Sequence, residues 1–407
     1  MALNQKPKGK AWTILIYANG NNELEPEMHQ AMFHAEKAGS SPDVNVVIQL
    51  GRAKYELVKH IRQDTGPKNE GSWNGVRRYL VGKGNSNVVG NLERANMANP
   101  MVLYDFIKWG VRLYPADRYM LILGGHAYQF VGMMTDYTQK APYIMGIPEM
   151  VRAIDIAANE AGCKIDILVM DTCYFNSIEV LYELGKTDGH SVRTVITNII
   201  NGPIEGLPYE RIIKTVGEKS DEEDITAVIR EIIDNLPCDL VAFEVDHLKL
   251  RQMKKLFNDI ASAHLSRYAD DGNISFEEVL PLLKNAFQAA GLDLLSLVLH
   301  FKRGSHNKAD PLVIVANKPT DNPELISRYK RLAFAQDNCW TILLSNRQIE
   351  MNRPQTENLT VDRIKNLHPL KMRPEEVYAY ISIMNPRLEE TRKKEMLKEL
   401  YQYRRWI

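Results

Sequence analysis

The chain has 407 residues, 44% of them hydrophobic, and its 51 Lys plus Arg balance 51 Asp plus Glu for a net charge of zero. That balance, with no basic runs interleaved with aromatics, argues against a nucleic-acid binder, which would carry a basic excess or stripe. The length allows two or three domains, or one large α/β unit with an appendage.

No window reaches the roughly 18 consecutive apolar residues of a membrane-spanning helix, so no membrane span is expected. The start, MALNQKPKGKAWTILIYANG, passes from polar residues directly into a strand-like run, without the long apolar stretch of a secretory signal. The four cysteines, Cys163, Cys173, Cys238 and Cys339, show no metal-ligand spacing and are too sparse for a disulfide framework. A cytoplasmic protein with reduced thiols is the expectation, with no metal site and no cofactor.

In chain order, WTILIYA (Trp12 to Ala18) and VNVVIQL (Val44 to Leu50) are compact apolar runs of strand length. Between them lies a polar stretch of helix length. YELVKHIRQ and GVRRYLVG read as two antiparallel strands around the turn-rich DTGPKNEGSWN. Leu103, Phe106, Ile107, Gly110 and Leu113 recur at three- and four-residue spacing, which predicts an amphipathic helix over Pro100 to Tyr114. The run YMLILGG follows and ends at His126. A helix over Glu149 to Ala161 leads to the strand IDILVM (Ile165 to Met170), which ends at Asp171 and Cys173. A helix through IEVLYELG and a strand VRTVITNII come next.

Repeated strand–helix–strand units with near-continuous apolar strands predict an α/β fold, a mostly parallel sheet flanked by helices. CDLVAFEVD and PLVIVANK are further strands. Long charged segments, His247 to Arg267 and Pro386 to Arg404, predict a largely helical C-terminal region. A boundary near residue 250 divides the chain into a domain over 8–250 and a mainly helical one over 251–407.

In parallel sheets, ligand sites lie beyond the carboxyl ends of the strands. Two chemistry-bearing residues stand there, His126 and Cys173. One strand–helix–strand unit separates them, and a right-handed crossover sets their strand ends side by side. A thiol needs a base, a cleft and donors for the developing oxyanion. A helix starting at about Tyr174 to Asn176 would favour thiolate at Cys173. Taken singly, a Cys after a strand is more often a small buried apolar residue, and a His after Gly-Gly a loop residue. Asp171 lies two residues before Cys173, on the same face of an extended chain. It either floors a pocket for a basic side chain or caps the following helix.

Two other signals are discounted. YADDGNISFEEVL would place Arg267 and Ala269 at carboxylate positions of a calcium loop, and GKGNSNVVGN lacks the ending of a phosphate loop. The remaining histidines show no paired metal spacing.

The blocks LILGGHAYQF and IDILVMDTCYFNSIEVLYELG resemble the clostripain family of cysteine peptidases, within the wider caspase, gingipain and legumain group. WTILIYANGNNELEP, NMANPMVLYDFIKWGVRLYPADRYMLIL and GPIEGLPYERII extend the resemblance over about residues 10 to 215. The resemblance implies a caspase-like sheet, with Cys173 as nucleophile and His126 as general acid/base. It implies an oxyanion hole from the N–H groups of Ala127 and Cys173, and Asp171 in a pocket favouring Arg or Lys before the scissile bond. The substrate would be a protein or peptide with such a basic residue. Self-cleavage at a basic residue between His and Cys is also implied, with Lys140 in DYTQKAPY as the site. Ala127 departs from the family, which has Gly after the His. If the oxyanion turn needs positive φ there, activity suffers. A second reading follows, a catalytically impaired caspase-like regulator binding a partner through its C-terminal region.

Overall fold

The structure, a computed structural model, describes residues 9–61, 73–139, 141–267, 276–290, 293–314, 323–343, 389, 391–392 and 394–395. In chain order the elements are β1 (Lys10–Gly20), α1 (Glu25–Ala38), β2 (Val44–Arg52), α2 (Tyr55–Ile61), β3 (Gly75–Gly82), β4 (Asn85–Glu93) and α3 (Pro100–Leu113). They continue with β5 (Ala116–Gly124), α4 (Ile147–Ala161), β6 (Ile165–Asp171), α5 (Ile178–Leu184), β7 (Val192–Asn198), α6 (Tyr209–Glu218) and α7 (Ile225–Asn235). The last are β8 (Leu240–Glu244), α8 (His247–Arg267), α9 (Phe276–Ala289), β9 (Val298–Lys302), α10 (Pro323–Lys330) and α11 (Trp340–Leu343).

Among the described residues the strands form one mixed nine-stranded sheet in the order β4-β3-β2-β1-β5-β6-β7-β8-β9. The central five, β2-β1-β5-β6-β7, run parallel, and antiparallel pairs extend the sheet at both ends. The α/β expectation is met.

The central strands read as unbroken apolar runs because both of their faces are buried. Leu15, Tyr17, Leu121, Leu123, Leu168 and Met170 face a core filled by α3, α4, α5 and α8. Ile14, Ile16, Met120, Ile122, Ile167 and Val169 face a second core under α1, α6 and α7. Local signals set the helix ends. Asn99 caps α3, its side chain accepting from the Met101 N–H, with Pro100 in the first turn. Gly162, at φ 67°, ends α4 in the left-handed conformation.

Two sequence readings are corrected. YELVKHI is the helix α2, not a strand, and buries only Val58. Periodicity over so short a run does not separate the two. β3 instead pairs antiparallel with β2 and with β4, the latter through the turn Lys83–Gly84, where Gly84 has φ 80°. The Gly-rich stretch discounted as a phosphate loop is therefore the turn and strand of a hairpin, where glycine supplies positive φ. Beyond residue 250, β9 joins the sheet through β8. Of PLVIVANK, Val313 makes a single parallel bridge to Ser177, and residues 315–322 lie outside the described set. So do residues 268–275 and most of the helix expected over Pro386 to Arg404.

The C-terminal elements pack through an aromatic cluster. Phe257 of α8 meets Phe287, Phe334 and Trp340 edge-on, with centroids 5.6, 5.2 and 4.8 Å away. Phe257→Ala leaves a cavity that these rings cannot refill, so a loss of about 3–5 kcal/mol is expected in urea unfolding with an unchanged slope. A loss below ~1 kcal/mol would show that the cluster adds little to folding.

Candidate active site

β5 and β6 are parallel neighbours, with Leu123 opposite Met170 and Gly124 opposite Asp171. Adjacent strands lie about 4.8 Å apart. His126 and Cys173 each follow two residues after this last pair, so both strands deliver them from the same level. The Gly125 N–H donates to the Asp171 carbonyl at 3.2 Å, which holds the two exits together. Gly125 has φ 149°, a conformation that lets the chain turn off the sheet immediately before His126.

The His126 loop then folds back on itself. The Met134 N–H donates to the His126 carbonyl at 2.9 Å, and the Tyr128 N–H to the Gly132 carbonyl at 2.9 Å. Ala127 and Met133 face each other between these bonds. Ala127 is not among the residues with positive φ; Gln129 and Gly132 take that role. The departure from Gly therefore strains nothing at Ala127. Among the described residues, the N–H groups of Ala127 and Cys173 are engaged in no hydrogen bond.

On the Cys173 side, Tyr174 has φ 53° and its N–H donates to the Ile200 carbonyl at 3.1 Å. The helix α5 begins at Ile178, capped by Ser177, whose hydroxyl accepts from the Val180 N–H. This is later than the start expected at Tyr174 to Asn176. Four residues of turn thus separate Cys173 from α5, and the expected helix-end contribution to its thiolate is withdrawn, because that effect fades within the first turn. Cys173 is half-buried. Burial pushes the Cys163 and Cys238 thiols up to about 11, which leaves them protonated and inert near neutral pH.

Asp171 is buried, with one carboxylate oxygen accepting from the Leu207 N–H at 3.0 Å and the other from the Tyr209 hydroxyl at 2.9 Å. It does not cap α5, which disposes of that alternative. Its surroundings are shaped around it. A Cβ on Gly206, where φ is 75°, would lie 2.9 Å from its Oδ2. One on Gly124 would lie 2.5 Å from the Tyr209 hydroxyl. Burial pushes the Asp171 carboxyl up to about 6, against the pull of its two donors in the other direction.

The imidazole of His126 has a partner that the sequence reading missed. Its Nε2 lies 2.9 Å from Glu23 Oε1, in the turn after β1. That turn is pinned by buried amides. Asn19 and Asn22 donate to the Thr135 carbonyl, each at 2.8 Å, and Asn21 donates to Asp136 Oδ2 at 2.6 Å. Asp136 is itself buried and also accepts from the N–H groups of Met97 and Thr138 and from the Thr138 hydroxyl. The signal was the acidic, Asn-rich NGNNELE after the first strand. The Tyr128 ring lies tilted beside His126, with centroids 5.8 Å apart, and burial raises its hydroxyl pKa, with Tyr137 adding to the effect.

Lys140 lies outside the described residues; on either side of it Met133 and Met145 exchange two hydrogen bonds of 2.7 Å. Among the described residues no group of three or more His, Cys, Asp or Glu side chains could hold a metal ion. No helix among them is long and apolar enough to cross a membrane.

The sequence profile of the clostripain family, a family of peptidases, matches residues 16–317. The chain belongs to the clostripain family. It is 25% identical over 263 residues to clostripain of Hathewaya histolytica, an alignment covering 55% of this chain and 46% of clostripain. It thus spans less than half the length of that relative. Two solved structures share the fold. An inactive zymogen C11 protease from Parabacteroides distasonis has TM-score 0.54 and 16% identity, covering 84% of this chain and 100% of that one. Iotapain, a secreted C11 cysteine protease from Bacteroides thetaiotaomicron, has TM-score 0.51 and 15% identity, covering 81% and 99%.

The environment of Asp171 makes a pH-dependent prediction. Its folded pKa is raised, to about 6, above the ordinary carboxylate value of about 3.9. Its contribution to stability is therefore full below about pH 3.9 and is lost as pH rises through 6. The thermal midpoint of Asp171→Asn relative to wild type should rise between pH 4 and 6 and level off above. A flat difference over that range would mean that the carboxylate is not held in a desolvating site.

Proposed function

We propose that the protein is a cysteine endopeptidase that cleaves after Arg or Lys. The observation that carries this reading is the delivery of a thiol and an imidazole from two parallel strands at one level, with two unengaged backbone N–H groups beside them. In this reading His126 takes the Cys173 proton, and the thiolate attacks the carbonyl carbon of the scissile bond. The N–H groups of Ala127 and Cys173 receive the resulting oxyanion. The protonated imidazole returns its proton to the leaving amine, which departs as the thioester forms. Water, activated by the same imidazole, then hydrolyses the thioester and frees the thiol.

Asp171 is assigned to the basic pocket. A carboxylate can accept about four hydrogen bonds, and two are used here, by Leu207 and Tyr209. Acceptor capacity remains for a guanidinium or ammonium group. A cation would also favour the ionised form that burial disfavours. The non-catalytic alternative rested on strain at Ala127, and Ala127 carries no positive φ. Iotapain is a secreted protease, so the comparisons do not favour the cytoplasmic location expected from the sequence.

Three outcomes are expected. Fluorogenic peptides ending in Arg or Lys should be turned over by wild type and not by Cys173→Ala; equal rates for both proteins would refute the reading. The preference for Arg over a neutral residue of similar length should grow as pH rises through about 6, where Asp171 ionises, and should vanish in Asp171→Asn. Purified wild type should split near Lys140 while Cys173→Ala stays whole; cleavage of both would assign the cut to another protease.

A further inference from the structure

We infer that Glu23 is a positioning residue for the catalytic imidazole, making the site an acid–imidazole–thiol array rather than a dyad. The inference rests on the reading of His126 as the acid/base. An imidazole has two nitrogens, and the hydrogen bond made by one decides what the other can do. Here a carboxylate oxygen takes Nε2 at 2.9 Å. A carboxylate accepts and does not donate, so Nε2 carries the N–H and Nδ1 keeps its lone pair. Nδ1 is then the atom that removes the Cys173 proton. Once it has done so, the imidazolium has a negative partner at Nε2. An acid placed directly beside the thiol would oppose its ionisation. Set on the far side of the imidazole, it favours the imidazolium that balances the thiolate.

The backbone that carries Glu23 is held for this purpose. Asn19, Asn21 and Asn22 are all buried. Asn22 Oδ1 accepts from the Leu24 N–H at 2.8 Å, which fixes the residue after Glu23. The Tyr137 N–H donates to the Asn21 carbonyl at 2.9 Å. The partners of these amides, Thr135, Asp136 and Tyr137, continue directly from Met134, whose N–H bonds the His126 carbonyl. One network thus fixes both the turn of the acid and the loop of the imidazole. The two side chains keep limited exposure, 16% for Glu23 and 23% for His126.

The other titratable groups near the ring do not take this role. Tyr128, on the same loop, and Tyr137, which is hydrogen-bonded to it, carry phenol hydroxyls and not carboxylates. Asp171, below Cys173, is turned onto Leu207 and Tyr209, and Asp136 onto Asn21, Met97 and Thr138.

The test uses the full chain and the variants Glu23→Gln and Glu23→Ala. With an Arg-ended peptide, kcat should fall on the order of 100-fold in Glu23→Gln while KM stays within about twofold. Nitrogen-15 spectra of the His126 ring should show the Nε2–H form in wild type and a mixture of tautomers in Glu23→Ala. A merely structural role would lower the melting temperature and the rate together and leave the tautomer in place; that result would overturn the inference. Glu23→Gln keeps the side-chain volume, so it decides the matter if Glu23→Ala unfolds. If wild type and Cys173→Ala are equally inactive on basic peptides, the peptidase reading fails, and the ring spectra still decide the contact between Glu23 and His126.

Discussion

The pairing of β5 with β6 is the constraint on which the site depends. Side chains alternate along a strand, so a slip of one residue between these strands would turn either His126 or Cys173 toward the wrong face. The register is fixed far below the site by burial. Leu121, Leu123, Leu168 and Met170 must fill one core while Ile122, Ile167 and Val169 fill the other. The bond from the Gly125 N–H to the Asp171 carbonyl then carries that register one step past the sheet. The residues at the tips are positioned by apolar packing beneath them.

The position of Glu23 follows from the same topology. From β1 the chain crosses by α1 to β2 on one side, and from β5 by α4 to β6 on the other. The helices of these two crossings lie on opposite faces. The loops leaving β1 and β5 therefore part from each other and open a crevice between the strand tips, the place where open α/β sheets bind ligands. Glu23 leaves from one lip of that crevice and His126 from the other. A purely apolar closure of this gap would have left no acid within reach of the ring. Three buried asparagines close it instead, each donating its side-chain amide across the gap, and they hold the turn that carries a carboxylate.

Much of this was legible in the sequence. The central strands announce themselves because burial on both faces removes every polar alternative from their runs. The strands that lead to His126 and Cys173 could be set side by side because a right-handed crossover leaves one neighbouring place for the second strand. What escaped notice depends on contacts remote in sequence. Glu23 meets His126 across more than a hundred residues, and no local pattern records such a pairing. The cradle of Asp171, built from Gly206, Leu207 and Tyr209, belongs to a loop whose Gly and Pro signal only a turn. The helix α2 was misread because seven residues with one buried side chain do not establish a period. The start of α5 was placed too early because Tyr174 takes positive φ, a conformation that an aromatic residue does not advertise.

The C-terminal residues make the last step of the argument. The segment that follows β9 lies against the turn after Cys173: the Val313 N–H donates to the Asn176 carbonyl at 2.9 Å, and the Ile178 N–H to the Val313 carbonyl at 3.0 Å. The Asn176 amide spans from the Ile199 carbonyl at 2.7 Å to that of Pro311 at 3.0 Å. This bracing lies within the stretch matched by the family profile, which ends at residue 317. Further on, α10 and the turn after it touch the loop that carries His126 and the helix that follows Cys173. Tyr329 packs edge-on to Phe130 at 5.2 Å and Arg328 donates to the Val131 carbonyl at 3.2 Å, both on the His126 loop. The Ala333 N–H donates to the buried Glu183 of α5 at 2.7 Å, on the Cys173 side. These contacts fall beyond the matched stretch. The register of β5 and β6 thus sets the two loops at one level, while a segment outside the family match ties the His126 loop to α5. A change in how α10 packs would reach the His126 loop and α5 together, because the same few residues touch both.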